Sequence, residues 1–495
     1  MGLLRAGVRL FGMLLKTVAA VIVIGVAAYF LLTRVGGMRV ERAGTGFTPI
    51  FTFDDPEEHM EALERERAEQ PAAPAVETEP APEPVAEAVE PEPVALETQA
   101  PAQPAPREEA PQVLAAPWPE YRGAGRRGVI EGVKIRTDWP LEELWRTRVG
   151  GGYASMVIAE GKLFTIEQRR GQEVVAAYAV DNGHELWTHG WDAQFEESLG
   201  GPGPRATPTY ADGRIYALGA EGELECLRAA DGKLVWRTNI LADAGSRNPQ
   251  WAMSGAPLVL DGRVIVQPGG QGTSVAAYDA ATGKILWQSG DDPAGYASPQ
   301  AATLAGREQA LIFSGSRLFA VDPSDGSELW EFPFAPSPAI NVGQPIQVSD
   351  AKVWISSGYG RGAVLLEIRK SGDGFEVEKL WDKNTMKNKF NSSVLCQGHV
   401  YGLDDGIMAA IDVETGERDW KGGRYGFGQL LLADGYVLVL TEKGALTLVK
   451  ATPEAHEEVA SFDVLDGKTW NVPAYADGVL FVRNQTEMAA YRLAQ

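Results

Sequence analysis

The chain is poor in the residues that carry most metal, redox and acid–base chemistry, with 2 cysteines and 5 histidines in 495 residues. Cys226 and Cys396 lie far apart in strand-like segments and in no metal-like spacing, which reads as two buried free thiols, with a disulfide between them as the alternative. No two cysteines are adjacent, and there is no Cys-x-x-Cys-His haem-attachment motif. His59, His184, His189, His399 and His456 are scattered without zinc spacing or a triad arrangement. Positive charge is also scarce: 45 Lys and Arg against 67 Asp and Glu give a net charge of −22. That balance argues against a nucleic-acid binder, which needs cations to displace counterions from phosphates, although much of the charge is local to one stretch of the chain. The Gly-rich stretches 269–272 and 358–362 open no helix, so they read as inter-strand loops and not phosphate cradles.

What is abundant is glycine, with 56 residues, and tryptophan, with 13. Before those residues come into play, the chain divides into zones. Residues 1–9 form a short tail carrying Arg5 and Arg9, expected in the cytoplasm, and residues 10–33 are almost wholly apolar, interrupted mainly by Lys16. Such a run suffices to cross a bilayer as an uncleaved anchor. A juxtamembrane segment, 34–53, follows. Residues 54–116 then hold 12 prolines, 17 acids and 3 arginines, a composition that cannot build a core. This stretch is expected to be a disordered acidic linker, with a short charged helix near His59 to Glu69 as its one ordered piece. The expected location is the bacterial inner membrane, single-pass, with the folded region in the periplasm.

From Pro117 onward the sequence repeats. Ala277-Tyr278-Asp279-Ala280-Ala281-Thr282-Gly283-Lys284-Ile285-Leu286-Trp287 recurs as Ala410-Ile411-Asp412-Val413-Glu414-Thr415-Gly416-Glu417-Arg418-Asp419-Trp420. Weaker copies end at Trp187, Trp236 and Trp330, each four residues after a glycine: Gly183, Gly232 and Gly326. Trp145 and Trp381 keep the Leu-Trp ending, and a decayed copy falls near Val459 to Phe462. In each copy a strand precedes the Asp, the Gly supplies the positive φ of a hairpin turn, and the Trp anchors the returning strand. A second motif, an Asp-Gly turn between apolar strands, alternates with the first, as at Asp212-Gly213 and Asp434-Gly435. Four short strands in 40 to 50 residues is the period of a propeller blade. The expected fold is therefore all-β: an eight-bladed β-propeller of four-stranded antiparallel blades over residues 117–495. The orphan strand near 141–149 is expected to complete the last blade and so close the ring.

These residues resemble the bacterial propellers built from pyrroloquinoline quinone (PQQ) repeats, of pattern A-x-D-x-x-T-G-x-x-x-W. Trp118-Pro119-Glu120-Tyr121-Arg122-Gly123, with Gly128, resembles the segment that opens such domains. The resemblance implies one of two functions. Dehydrogenase members bind PQQ and calcium in the central funnel. Non-enzymatic members include the propeller lipoprotein of the outer-membrane β-barrel assembly machinery. The missing cysteine pair and haem motif favour the second, so no catalytic, metal or cofactor residue is assigned and no cofactor is expected. A PQQ- and calcium-dependent alcohol dehydrogenase is the alternative.

The candidate site comes from a different pattern. Just before the first strand of many blades stands an aromatic or an asparagine: Tyr153, Trp251, Tyr296, Asn341, Phe390, Asn391, Phe427, Trp470 and Asn471, with Arg205 in the matching place of another blade. In a propeller these loops gather at one mouth of the funnel, a rim suited to a protein or peptide partner in the cell envelope.

Overall fold

Each Asp-x-x-Thr-Gly segment folds as a side-chain-locked turn. Asp279 Oδ1 accepts from the backbone N–H of Thr282 (2.8 Å) and from its hydroxyl (2.7 Å), and Asp412 does the same for Thr415 at 2.7 and 2.9 Å. Gly283 and Gly416 take φ of 70° and 68°, where a side chain would be strained. The strand that leaves the turn pairs back antiparallel, with a one-residue bulge just before the tryptophan: Ala277 faces Trp287 while Tyr278 faces Ile285.

The computed structural model describes residues 39–42, 49–52, 56–71 and 117–495. The anchor expected at residues 10–33 lies outside the described residues, and among the described residues no helix is long and apolar enough to cross a membrane. Residues 117–495 form eight antiparallel blades in sequence order around a ring. The first seven begin at Val157, Thr209, Leu258, Gln300, Ile346, Val394 and Gln429. The eighth joins Ala474–Ala476, Val479–Arg483 and Glu487–Arg492 to Glu142–Arg148 from the front of the chain. Glu487 pairs with Arg148 and Arg492 with Glu142, so both chain ends share one sheet and the ring closes as expected.

The repeat tryptophans join blade to blade. An added Cβ would lie 2.6 Å from the Trp145 ring at Gly183, 2.4 Å from Trp187 at Gly232 and 2.6 Å from Trp236 at Gly283. The same holds for Trp287 at Gly326 (2.4 Å) and Trp381 at Gly416 (2.8 Å). Each indole therefore lies flat on the turn glycine of the following blade. Its N–H donates to the carbonyl three residues before that glycine, as from Trp236 to Ala280 (3.0 Å) and Trp381 to Val413 (3.0 Å). Trp420 makes the same bond to Thr452 of the seventh blade, where no repeat glycine stands. Trp330 faces a blade without the glycine and bonds instead to Gln309 of its own sheet at 2.6 Å.

Part of the expected linker is ordered. Pro56–Glu69 is a helix that lies against the closing seam, with Leu63 1% exposed and Met60 buried. Proline at its start, acids in its first turn and Arg67 in its last suit the helix ends. Docking, more than propensity, holds it. Arg67 donates to Thr147 Oγ1 (2.9 Å), the Arg148 carbonyl (2.5 Å) and Glu185 (3.2 Å), and His59 Nε2 lies 2.9 Å from the Val149 carbonyl. Arg170 pairs with Glu57 and Glu64. Glu185 leads inward through Arg169 to the fully buried Glu167, which also accepts from Tyr178 (2.5 Å) and the Gly150 N–H (2.7 Å). Burial alone would raise Glu167, but Arg169 and Arg483 hold it below the usual carboxylate range.

Candidate functional site

The first strands of neighbouring blades touch one another, so they line the central channel. The channel is not open. The segment Trp118 to Gly128 crosses it, bridging to Ile158 of the first blade and to Tyr210 of the second through the Pro119 carbonyl. Two arginines, each 1% exposed, fasten it. Arg126 donates to the carbonyls of Ala256 (3.0 Å), Pro257 (2.6 Å) and Pro299 (2.6 Å), and Arg122 donates across the ring to Ser393 (3.1 Å) and Leu430 (3.2 Å). Val129–Ile130 then runs parallel to the innermost strand of the seventh blade as a fifth strand. The plug turns the funnel into a blind cup with Tyr121 among its lining residues.

The cup has a volume of about 330 Å³. Six of the ten rim residues expected from the sequence line it: Tyr153, Arg205, Trp251, Tyr296, Phe390 and Trp470. The rings form two contiguous groups. Phe390 lies 5.0 Å from Trp470 and 5.3 Å from Phe427, Trp470 lies 5.0 Å from Tyr153, and Trp251 meets Tyr296 edge-on at 5.8 Å. Phe427 thus supports the wall from behind Phe390. The three asparagines grouped with the rim do not reach it. Asn341, Asn391 and Asn471 are at most 1% exposed. Asn341 Nδ2 donates to the Ser314 and Phe334 carbonyls, and Asn471 Nδ2 to those of Gly152 and Ala154. Asn391 Oδ1 accepts from Asn388 at 2.8 Å. Two of them directly follow a rim aromatic, and successive side chains of extended backbone point opposite ways. Phe390 and Trp470 therefore face the cup while their neighbours face the protein.

The charged groups at the cup are committed to the protein itself. Arg205 donates to the Gly201 (2.7 Å) and Gly203 carbonyls and lies over the Phe195 ring at 4.8 Å; its burial lowers its pKa. Lys468 donates to the Leu199 carbonyl (3.0 Å) and lies 4.8 Å over the Trp470 ring. Among the described residues lining the cup, Glu197 is the one carboxylate; it accepts from the Leu199 N–H at 2.7 Å and faces Arg205 at 3.5 Å. Burial pushes the Tyr359 phenol up to about 12, so it stays a neutral donor.

This lining is poor in free oxygen ligands for a calcium ion. Calcium takes six to eight oxygen ligands, drawn from carboxylates, carbonyls, side-chain amides and waters. One carboxylate already bonded to a backbone N–H and facing an arginine does not supply them. Among the described residues, no three His, Cys, Asp or Glu side chains group so as to hold a metal ion.

The lining residues not expected from the sequence include Tyr121, Glu197, Tyr359 and Gln429. Tyr121 sits in the Trp118–Gly123 motif and could have been found there. Gln429 opens the first strand of its blade and carries no local signal.

Plug, cup and ring together define a closed-channel propeller with an aromatic mouth. A family model described as outer membrane protein assembly factor BamB matches residues 170–422, just over half of the chain. The chain therefore belongs to that family of PQQ-repeat propellers. The similarity divides between two kinds of relative. It is 28% identical over 192 residues to outer membrane protein assembly factor BamB of Shewanella oneidensis, covering 38% of this chain and 45% of that protein. It is 35% identical over 100 residues to the dehydrogenase subunit of a quinone alcohol dehydrogenase of Gluconacetobacter polyoxogenes, covering 19% of this chain and 14% of that one. The chain thus spans less than half the length of either relative. Among solved structures, BamB from Moraxella catarrhalis superposes with a TM-score of 0.52 at 15% identity, covering 72% of this chain and 98% of that one, a likeness of fold.

Proposed function

We propose that this protein is a non-enzymatic scaffold or adaptor of the cell envelope that holds a partner protein at the mouth of its propeller. The observation that carries this reading is the chemistry of the cup. Its walls are aromatic, and its charged groups are already bonded to the protein's own backbone or to each other. Apolar and aromatic surface beside internally satisfied polar groups suits association with another protein. Membership of a family described by an outer-membrane assembly factor supports the same reading and suggests envelope protein assembly as its setting. In this proposal the apolar run 10–33 anchors the chain in the inner membrane and the acidic linker gives the propeller reach into the periplasm.

The dehydrogenase relatives supply the rival reading, oxidation of an alcohol with PQQ and calcium. Titration of PQQ plus calcium into the full chain, with dye-coupled alcohol oxidation, separates the two. The scaffold reading expects no saturable change in cofactor absorbance and no turnover. Micromolar binding with turnover would overturn it.

A further inference from the structure

The charged groups at the cup are engaged by the protein, but three uncharged donors are not. Trp251, Tyr296 and Tyr359 line the cup from three consecutive blades, the third, fourth and fifth. Among the described residues, no acceptor answers the Trp251 indole N–H or the Tyr359 phenol. The Tyr296 oxygen accepts from the Trp251 backbone N–H at 3.5 Å, a long bond that leaves its own proton to give. All three side chains are half-buried, and neither Trp251 Nε1 nor Tyr359 Oη is sealed inside the protein. The facing wall, from the sixth, eighth and first blades, is different. There Phe390 and Tyr153 each lie 5.0 Å from the Trp470 ring; the Trp470 indole already donates to Glu442 (3.0 Å) and the Tyr153 hydroxyl to the Gly200 carbonyl. The strong side-chain acceptors are taken or sealed. Glu197 accepts from the Leu199 and Gly200 N–H groups, and Gln429 Oε1 is buried out of reach of the cup. The cup thus offers donors on one wall and ring faces on the other.

We propose that the cup receives a proline-rich segment of the partner protein, with its carbonyls on the donors of Trp251, Tyr296 and Tyr359 and its rings on Phe390, Trp470 and Tyr153. This inference rests on the scaffold reading and names the kind of sequence that the mouth holds. An ordinary extended peptide brings one N–H for every carbonyl, and against this lining its N–H groups are buried without partners. Proline has no N–H and keeps its carbonyl as an acceptor. A proline-rich chain also holds the polyproline II conformation before it binds, with every carbonyl free of internal bonds, so docking orders it at little cost. Grooves that read such segments are lined by aromatic rings. A cavity of about 330 Å³ takes a short stretch of such a chain.

The test uses the full chain in detergent and two uncharged probes of equal length, N-acetyl hexaproline amide and the N-acetyl amide of three Gly-Ser repeats, titrated by ligand-observed NMR. Hexaproline binds saturably and about tenfold tighter than the Gly-Ser peptide, whose N–H groups the cup leaves unpaired. Trp251→Phe keeps a ring and removes the indole N–H, and Tyr359→Phe removes only the hydroxyl. Each weakens hexaproline about three- to tenfold, the loss expected for one hydrogen bond. No saturable hexaproline binding, equal affinities for the two peptides, or an unchanged hexaproline affinity in both variants would each overturn the proposal. The comparison of the two peptides on the natural chain stands even if a variant fails to fold. Partner crosslinks at the rim without a preference for hexaproline would sink this inference alone, whereas no crosslink at the rim would sink the scaffold reading beneath it.

Discussion

Substituting alanine at two glycines of the third blade separates the cost of a strained turn from the cost of displacing a blade-joining tryptophan. Gly262 and Gly283 have nearly equal φ, 72° and 70°. They differ in what a methyl group would meet: nothing within 4 Å at Gly262, and the Trp236 ring at 2.6 Å at Gly283. Gly262→Ala should therefore cost only the left-handed backbone, about 1 to 2 kcal/mol. Gly283→Ala adds a steric term, because Trp236 is buried and tied to the Ala280 carbonyl at 3.0 Å. Overpacking a filled site costs about 1 to 3 kcal/mol more, for a total of about 2 to 5 kcal/mol. With roughly 2 cal/mol/K of unfolding entropy per residue, a domain of this size loses about 1 °C of Tm per kcal/mol. Thermal unfolding of the two variants should then show a fall of about 1 to 2 °C for Gly262→Ala and about 2 to 5 °C for Gly283→Ala. Equal falls would refute the argument that the repeat glycine exists to seat the preceding blade's indole.

Other consequences follow from single contacts. Leu63→Ala removes the most buried side chain of the docked helix and should weaken docking by about 2 to 4 kcal/mol. Hydrogen exchange would show Pro56–Glu69 opening faster while blade amides stay protected. Glu173, fully buried and accepting only from the Ala220 N–H at about 3 Å, is pushed up to about 7 by burial, with nearby Glu223 and Glu221 adding to the rise. Its folded value exceeds its unfolded one, so the folded state holds a proton that the unfolded state has released between about pH 4.5 and 7, and stability falls as pH rises through that window. Glu173→Gln should flatten that fall and add on the order of 3 kcal/mol at pH 8, as read by denaturant titration. Arg126→Ala strips the plug of its bonds to three carbonyls and exposes Glu120; protease cleavage within 117–128 should rise well before the blades unfold.

The ring was legible because most blades restate the same instructions. Where the turn Asp, the turn Gly and the Trp all stand, they lie within eleven residues of one another, so local chemistry marks the blade and the spacing carries the register through the decayed copies. The closure was legible too, since one unpaired strand at 142–148 and three at the end of the chain leave a single way to complete a sheet. What escaped notice depends on distant partners. Arg122 and Arg126 look like surface charge in a glycine-rich loop, yet they are buried because backbone carbonyls from blades hundreds of residues away receive them. The docked helix carries only Met60 and Leu63 as buried apolar residues amid acids, too little periodicity to announce a docking face. At the mouth, the aromatic positions could be read from their place before each first strand. The split between Phe390 and Asn391, or Trp470 and Asn471, depends on strand pleat and could not.

In the scaffold proposal the mouth of the propeller, and not the opposite face, holds the partner. Photo-crosslinking amino acids placed at Tyr153, Trp251 and Tyr296 on the mouth, and at Lys284 and Glu417 beside the repeat turns on the opposite face, would test it in intact cells. Discrete crosslinked protein adducts are expected from the three mouth positions and none from the two turn positions. Adducts from the turn positions with a silent mouth would contradict it.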